Sequence, residues 1–176
     1  MLSTRPDLVG PEMAAELESL QADTPADPPE VVRQVVESEL GQPVEELFAF
    51  FDFTALASAS VGQVHRAQLK DGTAVVVKVQ HAGIEKKVQS DLSLLTSLAS
   101  LAESNSRDLA RYRPTATVAE FRRSLLRELD FGIELNNLLV FTRNFAKNPN
   151  VHVPIAYPDY SSRRVLTMEL LQGYSI

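Results

Sequence analysis

Residues 57–80 read ASASVGQVHRAQLKDGTAVVVKVQ, and the fold turns on this stretch. Two β-prone runs, Gly62–Leu69 and Thr73–Gln80, flank Lys70-Asp71-Gly72. Asp-Gly between such runs predicts a hairpin, because glycine takes the positive φ the turn demands. Ahead of the first strand, Ala57-Ser58-Ala59-Ser60-Val61-Gly62 places small residues where the chain folds tightly. Phosphate-cradling loops use such positions so that backbone amides can approach the anion. Gly62 is its only glycine, so taken alone the run reads as a packed turn. Lys78 closes the apolar run Val75-Val76-Val77. A lysine there reaches solvent by default; the functional reading is a contact with nucleotide phosphates and a carboxylate on a nearby helix.

Downstream, Ile84, Val88, Leu92, Leu95, Leu98 and Leu101 recur at helical spacing. Thr117-Val118-Ala119-Glu120 matches a capping box and predicts the start of a second long helix. Its stripe of Val118, Phe121, Leu125 and Leu129, continued by Phe141 and Phe145, predicts a buried face running to about Ala146. Gly132 predicts a bend or break. This helix carries Glu128, Asp130 and Glu134, of which the last two share a face. Because they lie among Leu125, Leu129, Phe131 and Ile133, at least one acid approaches the buried side. A carboxylate there needs a cation, and Lys78 is the natural candidate. Val151–Pro154 and Arg164–Leu170 predict strands, with a turn at Pro158–Ser162.

Upstream, Pro11–Gln21 predicts a helix with Met13, Leu17 and Leu20 on one stripe. Asp23–Pro29 is a proline-rich linker. Glu30–Leu40 is a second helix stopped by Gly41, and Val44–Phe51 a third. Helices, hairpin, helices and two strands make an α+β domain.

At 176 residues, with 44% apolar and 23% charged residues, the chain is long and apolar enough for one cored domain. Its net charge of −6 argues against a general nucleic-acid binder. Arg107, Arg111, Arg113, Arg122, Arg123 and Arg127 form the nearest basic cluster, read as a solvated helix face. Without cysteine there is no disulfide, thiolate metal site or cysteine nucleophile, and His65, His81 and His152 lack metal-ligand spacing. No apolar run is long enough to span a bilayer, and residues 1–6 show no targeting signal.

A small-residue loop, a strand, an Asp-Gly turn, a strand ending in lysine, a helix with a glutamate and strands ending in Thr167-Met168-Glu169 follow the order of a protein-kinase amino-terminal lobe. Within that class the sequence resembles the UbiB/AarF/ADCK group of atypical kinases. Residues 57–67 resemble its alanine-rich loop, Val75–Gln80 its lysine strand, Glu128-Leu129-Asp130 its E-x-D motif and Val165–Glu169 its route to the hinge. Ser3–Leu8 with Pro11-Glu12 resembles the segment after its K-x-G-Q motif.

The resemblance implies a kinase-like lobe with a small antiparallel sheet and a C-helix, plus extra amino-terminal helices. Residues 1–52 are expected to form the helical extension and 53–176 the lobe up to the hinge. The carboxy-terminal lobe, with its catalytic loop and metal-binding aspartate, is expected beyond Ile176. Implied roles are Lys78 for phosphate contact, Glu134 as its ion-pair partner, and Ala57, Ser58, Ala59, Ser60 and Gly62 in the loop. Val64 and Val76 would form the adenine roof. Met168, Glu169 and Leu171 would lie at the hinge, and Glu128 and Asp130 would be regulatory. Val76 stands where the family usually has alanine. The implied cofactor is ATP, with Mg2+ only where the second lobe is present. Implied partners are ATP or ADP and membrane lipid or lipid-pathway proteins, at bacterial, mitochondrial or plastid membranes, within ubiquinone or other isoprenoid-lipid metabolism. The competing expectation is a non-catalytic module that meets a partner or membrane through its amphipathic helices.

Overall fold

The structure, a computed structural model, describes residues 25–171. The expected helix Pro11–Gln21 lies outside them. Helix α1, Pro29–Leu40, starts on a proline whose fixed φ suits a first turn, and carries Glu30 there, where the helix dipole favours an acid. Val32, Val35 and Val36 form its buried stripe, and Gly41 follows its end as expected. Helix α2 is short, Val44–Leu47, and the chain then enters strand β1, Phe48–Phe51. The single helix expected over Val44–Phe51 is therefore replaced by a turn of helix and a strand. The phenylalanines decide this. Phe48 is buried against the Phe51 and Tyr160 rings, and Phe51 stacks on His65, contacts that a pleated strand provides.

Strands β2 (Ala57–Ser58), β3 (Gly62–Leu69), β4 (Ala74–Gln80) and β5 (Val165–Glu169) complete an antiparallel sheet ordered β1-β3-β4-β5, with β2 also on β3. The β3–β4 hairpin forms as the sequence predicts. Gly72 has φ +90°, its N–H donates to the Leu69 carbonyl, and the Asp71 carboxylate accepts from the Thr73 N–H. One sheet face, with Ala67, Leu69, Val75, Val77, Val79 and Val165, packs on the α1 valines to form the core.

Helix α3 (Ile84–Asn105) packs chiefly on α5 (Pro114–Glu128), with the short α4 (Arg107–Ala110) between them in the chain. The capping box expected at Thr117 does not form. Pro114 starts α5 earlier, so Thr117 lies inside the helix and its hydroxyl donates back to the Arg113 carbonyl. The expected buried stripe closes only at Leu129, which is buried just past the end of α5. No residue of α5 is buried, and Phe121 and Phe141 are both about half exposed, because α5 packs on α3 rather than on the sheet. The chain breaks at Leu129-Asp130, just before Gly132, and restarts as α6, Phe131–Phe145. Residues Val151–Pro154 form no strand: Pro154 has no N–H to offer, and only Ala156 bridges to Met168. Pro158–Tyr160 is a 3-10 turn, within the turn expected there.

His65 is fully buried in the sheet. Its Nδ1 lies 2.8 Å from the Asp52 carbonyl and its Nε2 2.9 Å from the Gln63 side-chain nitrogen. A neutral ring donating from Nδ1 and accepting at Nε2 satisfies both contacts. Burial pushes its pKa below the ordinary histidine value. The unfolded chain therefore binds more protons, so this contribution is complete above about pH 6.5 and is lost as the pH falls through the depressed folded value. Thermal melts should show stability dropping as the pH falls below about 6.5. His65→Phe, less stable at the higher pH, should lose less over the same interval.

Candidate functional site

In an antiparallel sheet directly paired residues share a face. Register therefore puts Val64, Lys78 and Leu166 in one row across β3, β4 and β5, and Arg66, Val76 and Met168 in the next. These rows lie on the face opposite the core. Val76, Lys78 and Met168 remain partly accessible.

Lys78 Nζ donates to Glu134 Oε2 at 2.6 Å and lies 4.5 Å over the Phe131 ring. The pair is half-open to water, with side-chain exposures of 28% and 42%, so its worth lies in placing a charge rather than in stabilising the fold. Glu134 reaches Lys78 because α6 begins one turn earlier. Asp130 caps that start by accepting from the Gly132 N–H at 2.9 Å. Asp130 also faces Arg163 at 3.7 Å, and Arg163 pairs with Glu85 at the head of α3.

The small-residue loop closes over one end of β3 and β4. The Ala59 N–H donates to the Gly62 carbonyl, and Ala57 and Ser58 pair with Val64 and Gln63. A side chain on Gly62 would sit 2.4 Å from the Val79 carbonyl oxygen, so glycine is required there for close approach. His81 fastens the loop from below: its N–H meets the Val61 carbonyl and its ring Nε2 the Ala59 carbonyl. Asp27 in turn lies 3.2 Å from His81 Nδ1, accepts from the Ala82 N–H, and donates its own N–H to the Gln63 side chain. Sequence reasoning read residues 23–29 as a linker and missed this anchor. Its only signal is an acid between prolines.

A cavity of about 660 Å³ opens beside the pair, with Val61, Lys78, Phe131 and Glu134 on one wall and Arg123, Arg127 and Glu128 on another. The two arginines remain solvent-exposed, as the sequence implied, but they also border this cavity. Glu128 has no cation within ion-pair distance among the described residues. At the far end of the sheet, the Glu169 carboxylate accepts from the Ile155 N–H and pairs with His152. Those contacts hold its pKa below the usual carboxylate value, the backbone hydrogen bond being the larger cause. Leu171 is exposed at the edge of the described chain, and Ser60 and Ala59 are exposed on the loop. Among the described residues no group of three His, Cys, Asp or Glu side chains could hold a metal.

The structure thus gathers Val64, Val76, Lys78, Met168 and Glu134 about one sheet face, with the loop at its end. A family model for the ABC1 atypical kinase-like domain matches residues 19–176. The chain is 43% identical over 177 residues to a probable protein kinase UbiB of Cellvibrio japonicus, and 42% identical over 176 to that of Marinobacter nauticus. Each match covers all of this chain and 32% of the relative, so the chain spans about a third of the length of these relatives. The structure of Rv3197 with erythromycin from Mycobacterium tuberculosis superimposes with a TM-score of 0.73 at 28% identity, covering 98% of this chain and 42% of the other. The expected kinase-like amino-terminal lobe is the fold observed.

Proposed function

The chain belongs to the ABC1 atypical kinase-like family, and from that premise we propose that its open sheet face, under the small-residue loop, is the nucleotide-binding surface of a UbiB-type atypical kinase or ATPase. The observation that carries this reading is the 2.6 Å contact between Lys78 and Glu134. An ammonium group held by a carboxylate on a helix is pre-oriented toward one side, and phosphate oxygens are its natural acceptors.

The residues fit a nucleotide in three respects. Val64, Val76 and Met168 offer an apolar patch to a base. Lys78 offers a fixed positive charge. The loop backbone at Ala57, Ser58 and Ser60 would hold phosphates, the Ala59 N–H and carbonyl being committed to Gly62 and His81. Ser58 Oγ, a buried side-chain oxygen with no hydrogen-bond partner among the described residues, lies on the core face with Gln63 and points away from Lys78; an orphan of this kind costs about 1–3 kcal/mol. Contact at the hinge would come from the backbone of Met168–Leu171, because the Glu169 side chain is committed to His152 and Ile155. A bound nucleotide would supply the phosphoryl group; this chain's residues bind it, orient it and hold charge beside it. We assign no residue of this chain to Mg2+. Glu128 and Asp130 would regulate the site from the cavity, where among the described residues Glu128 is the acid without a cationic partner.

The UbiB relatives are bacterial, and their name supports a role for the whole protein in ubiquinone metabolism. No helix among the described residues is long and apolar enough to cross a membrane.

A nucleotide titration of this chain tests the reading. The Ser58→Ala variant sharpens it. Removing an orphaned hydroxyl should raise the ligand-free melting temperature by about 2–4 °C. Nucleotide affinity should stay as in wild type, because that side chain lies on the face opposite Lys78. A loss of affinity in the variant would put the phosphates on the core side of the loop and count against the open-face site.

A further inference from the structure

Gln80 lies on the same face of β4 as Lys78 and is buried to 1% exposure. Both ends of its amide are used. Nε2 donates to the Leu129 carbonyl at 2.7 Å, and Oε1 accepts from Arg164 Nε at 3.2 Å. Its backbone N–H also donates to the Arg164 carbonyl. Leu129 ends α5, and the next residue, Asp130, caps α6. The Gln80 side chain therefore grips the joint from which the helix bearing Glu134 springs. The entry to β5 grips it from the other side, since the Phe131 N–H donates to the Arg163 carbonyl at 2.9 Å.

We propose that Gln80 is a positioning residue. By holding the Leu129 carbonyl it fixes the first turn of α6 where Glu134 meets Lys78. An ion pair as open to water as Lys78–Glu134 holds a helix weakly. A buried hydrogen bond with no water to replace it resists displacement. The dry contact therefore sets the position, and the charged contact uses it. The residue type follows from the same geometry. The site needs a donor for a carbonyl and an acceptor for a guanidinium, both at the end of a three-carbon reach. Glutamate would lack the donor, lysine the acceptor and methionine both.

The consequence for nucleotide affinity rests on the function proposed above; the effect on the Lys78–Glu134 contact does not. Two variants separate them. Gln80→Glu keeps an acceptor for Arg164, loses the donor and adds a negative charge, and Gln80→Met loses both contacts without adding one. In each, and in wild type, the Lys78 ammonium resonance is recorded on chain labelled with ¹⁵N-lysine, and an ATP analogue is titrated. Glu134→Gln identifies the resonance. The expected result is a slow-exchanging Lys78 signal in wild type that disappears in folded Gln80→Glu and Gln80→Met, with nucleotide affinity weakened about tenfold or more. A purely structural role would lower the melting temperature and leave that signal in place. A folded variant that keeps the signal overturns the proposal, as does its absence from wild type. If Gln80→Met does not fold, Gln80→Glu decides. Loss of the signal in the variants, in a chain that binds no nucleotide at all, supports the positioning role and sinks the nucleotide reading alone.

Discussion

Lys78→Met is expected to weaken nucleotide binding by about a hundredfold, or about 2.7 kcal/mol, with little loss of stability. Methionine keeps the length and apolar stem of lysine and removes only the charge. In the ligand-free chain that charge makes one half-exposed ion pair with Glu134 and one contact over the Phe131 ring. Together these contribute on the order of 1 kcal/mol once screening by water is allowed for, so the melting temperature should fall by about 2–4 °C. Against a phosphate the same ammonium meets concentrated negative charge beside the loop, where truncating a paired charge costs about 2–5 kcal/mol. The asymmetry is the test: titration with an ATP analogue should show a large change and thermal melting a small one. Glu134→Gln should produce a lesser loss of affinity, because the lysine remains but is no longer aimed. An unchanged affinity in the Lys78→Met protein would remove the basis for a nucleotide site here.

What the sequence disclosed and what it concealed divide along a physical line. The hairpin was legible because Asp71-Gly72 is a local instruction: glycine at φ +90° between two β-prone runs needs no distant partner. The contact of Lys78 with an acid among residues 128–134 was legible for a related reason, while Glu134 as that acid was implied only by the family resemblance. A lysine at the end of an apolar strand and an acid among leucines and phenylalanines each need the other. The strand Phe48–Phe51 was concealed because Val44–Leu47 just before it does form a helical turn, and the change to a strand is settled by the rings of Tyr160 and His65, which lie further along the chain. The solvent exposure of Phe121 was concealed because periodicity shows that a helix has an apolar stripe, not what covers it. Asp27, His81 and Gln80 carried no local signal. Their partners lie 36 to 55 residues away for Asp27, 22 for the His81 ring and 49 for the Gln80–Leu129 bond, and buried polar bonds of that kind exist only once the sheet has formed. The kinase-like order of elements could thus be read in advance, while the fastenings that hold loop and helix at working distance could not.

Gly62 ties the loop to the strand that carries the lysine, and Gly62→Ala should be the most destabilising single-methyl change in the site. The added carbon would lie 2.4 Å from the Val79 carbonyl oxygen and 3.1 Å from the Gln80 Cα. Both are backbone atoms of the neighbouring strand and cannot turn aside as a side chain would. Relief requires β3 to move from β4 at the end where Gly62 pairs with Gln80 and Val64 with Lys78. Such overpacking costs about 3 kcal/mol, or about 10 °C in melting temperature for a chain of this size. The displacement should reach function as well, since the Gly62 carbonyl holds the Ala59 N–H and the next row contains Lys78. Gly72→Ala supplies the contrast. Its φ of +90° is strained for alanine, yet the nearest atom to an added carbon is a side-chain nitrogen 4.0 Å away. That variant should lose about 1–2 kcal/mol from backbone strain alone and bind nucleotide as wild type does, because the hairpin tip lies at the other end of the strands. Melting curves and a nucleotide titration on the two variants separate the contributions. If Gly62→Ala melts with wild type, β3 and β4 do not approach as closely there as the geometry requires, and the loop is not held against the lysine strand.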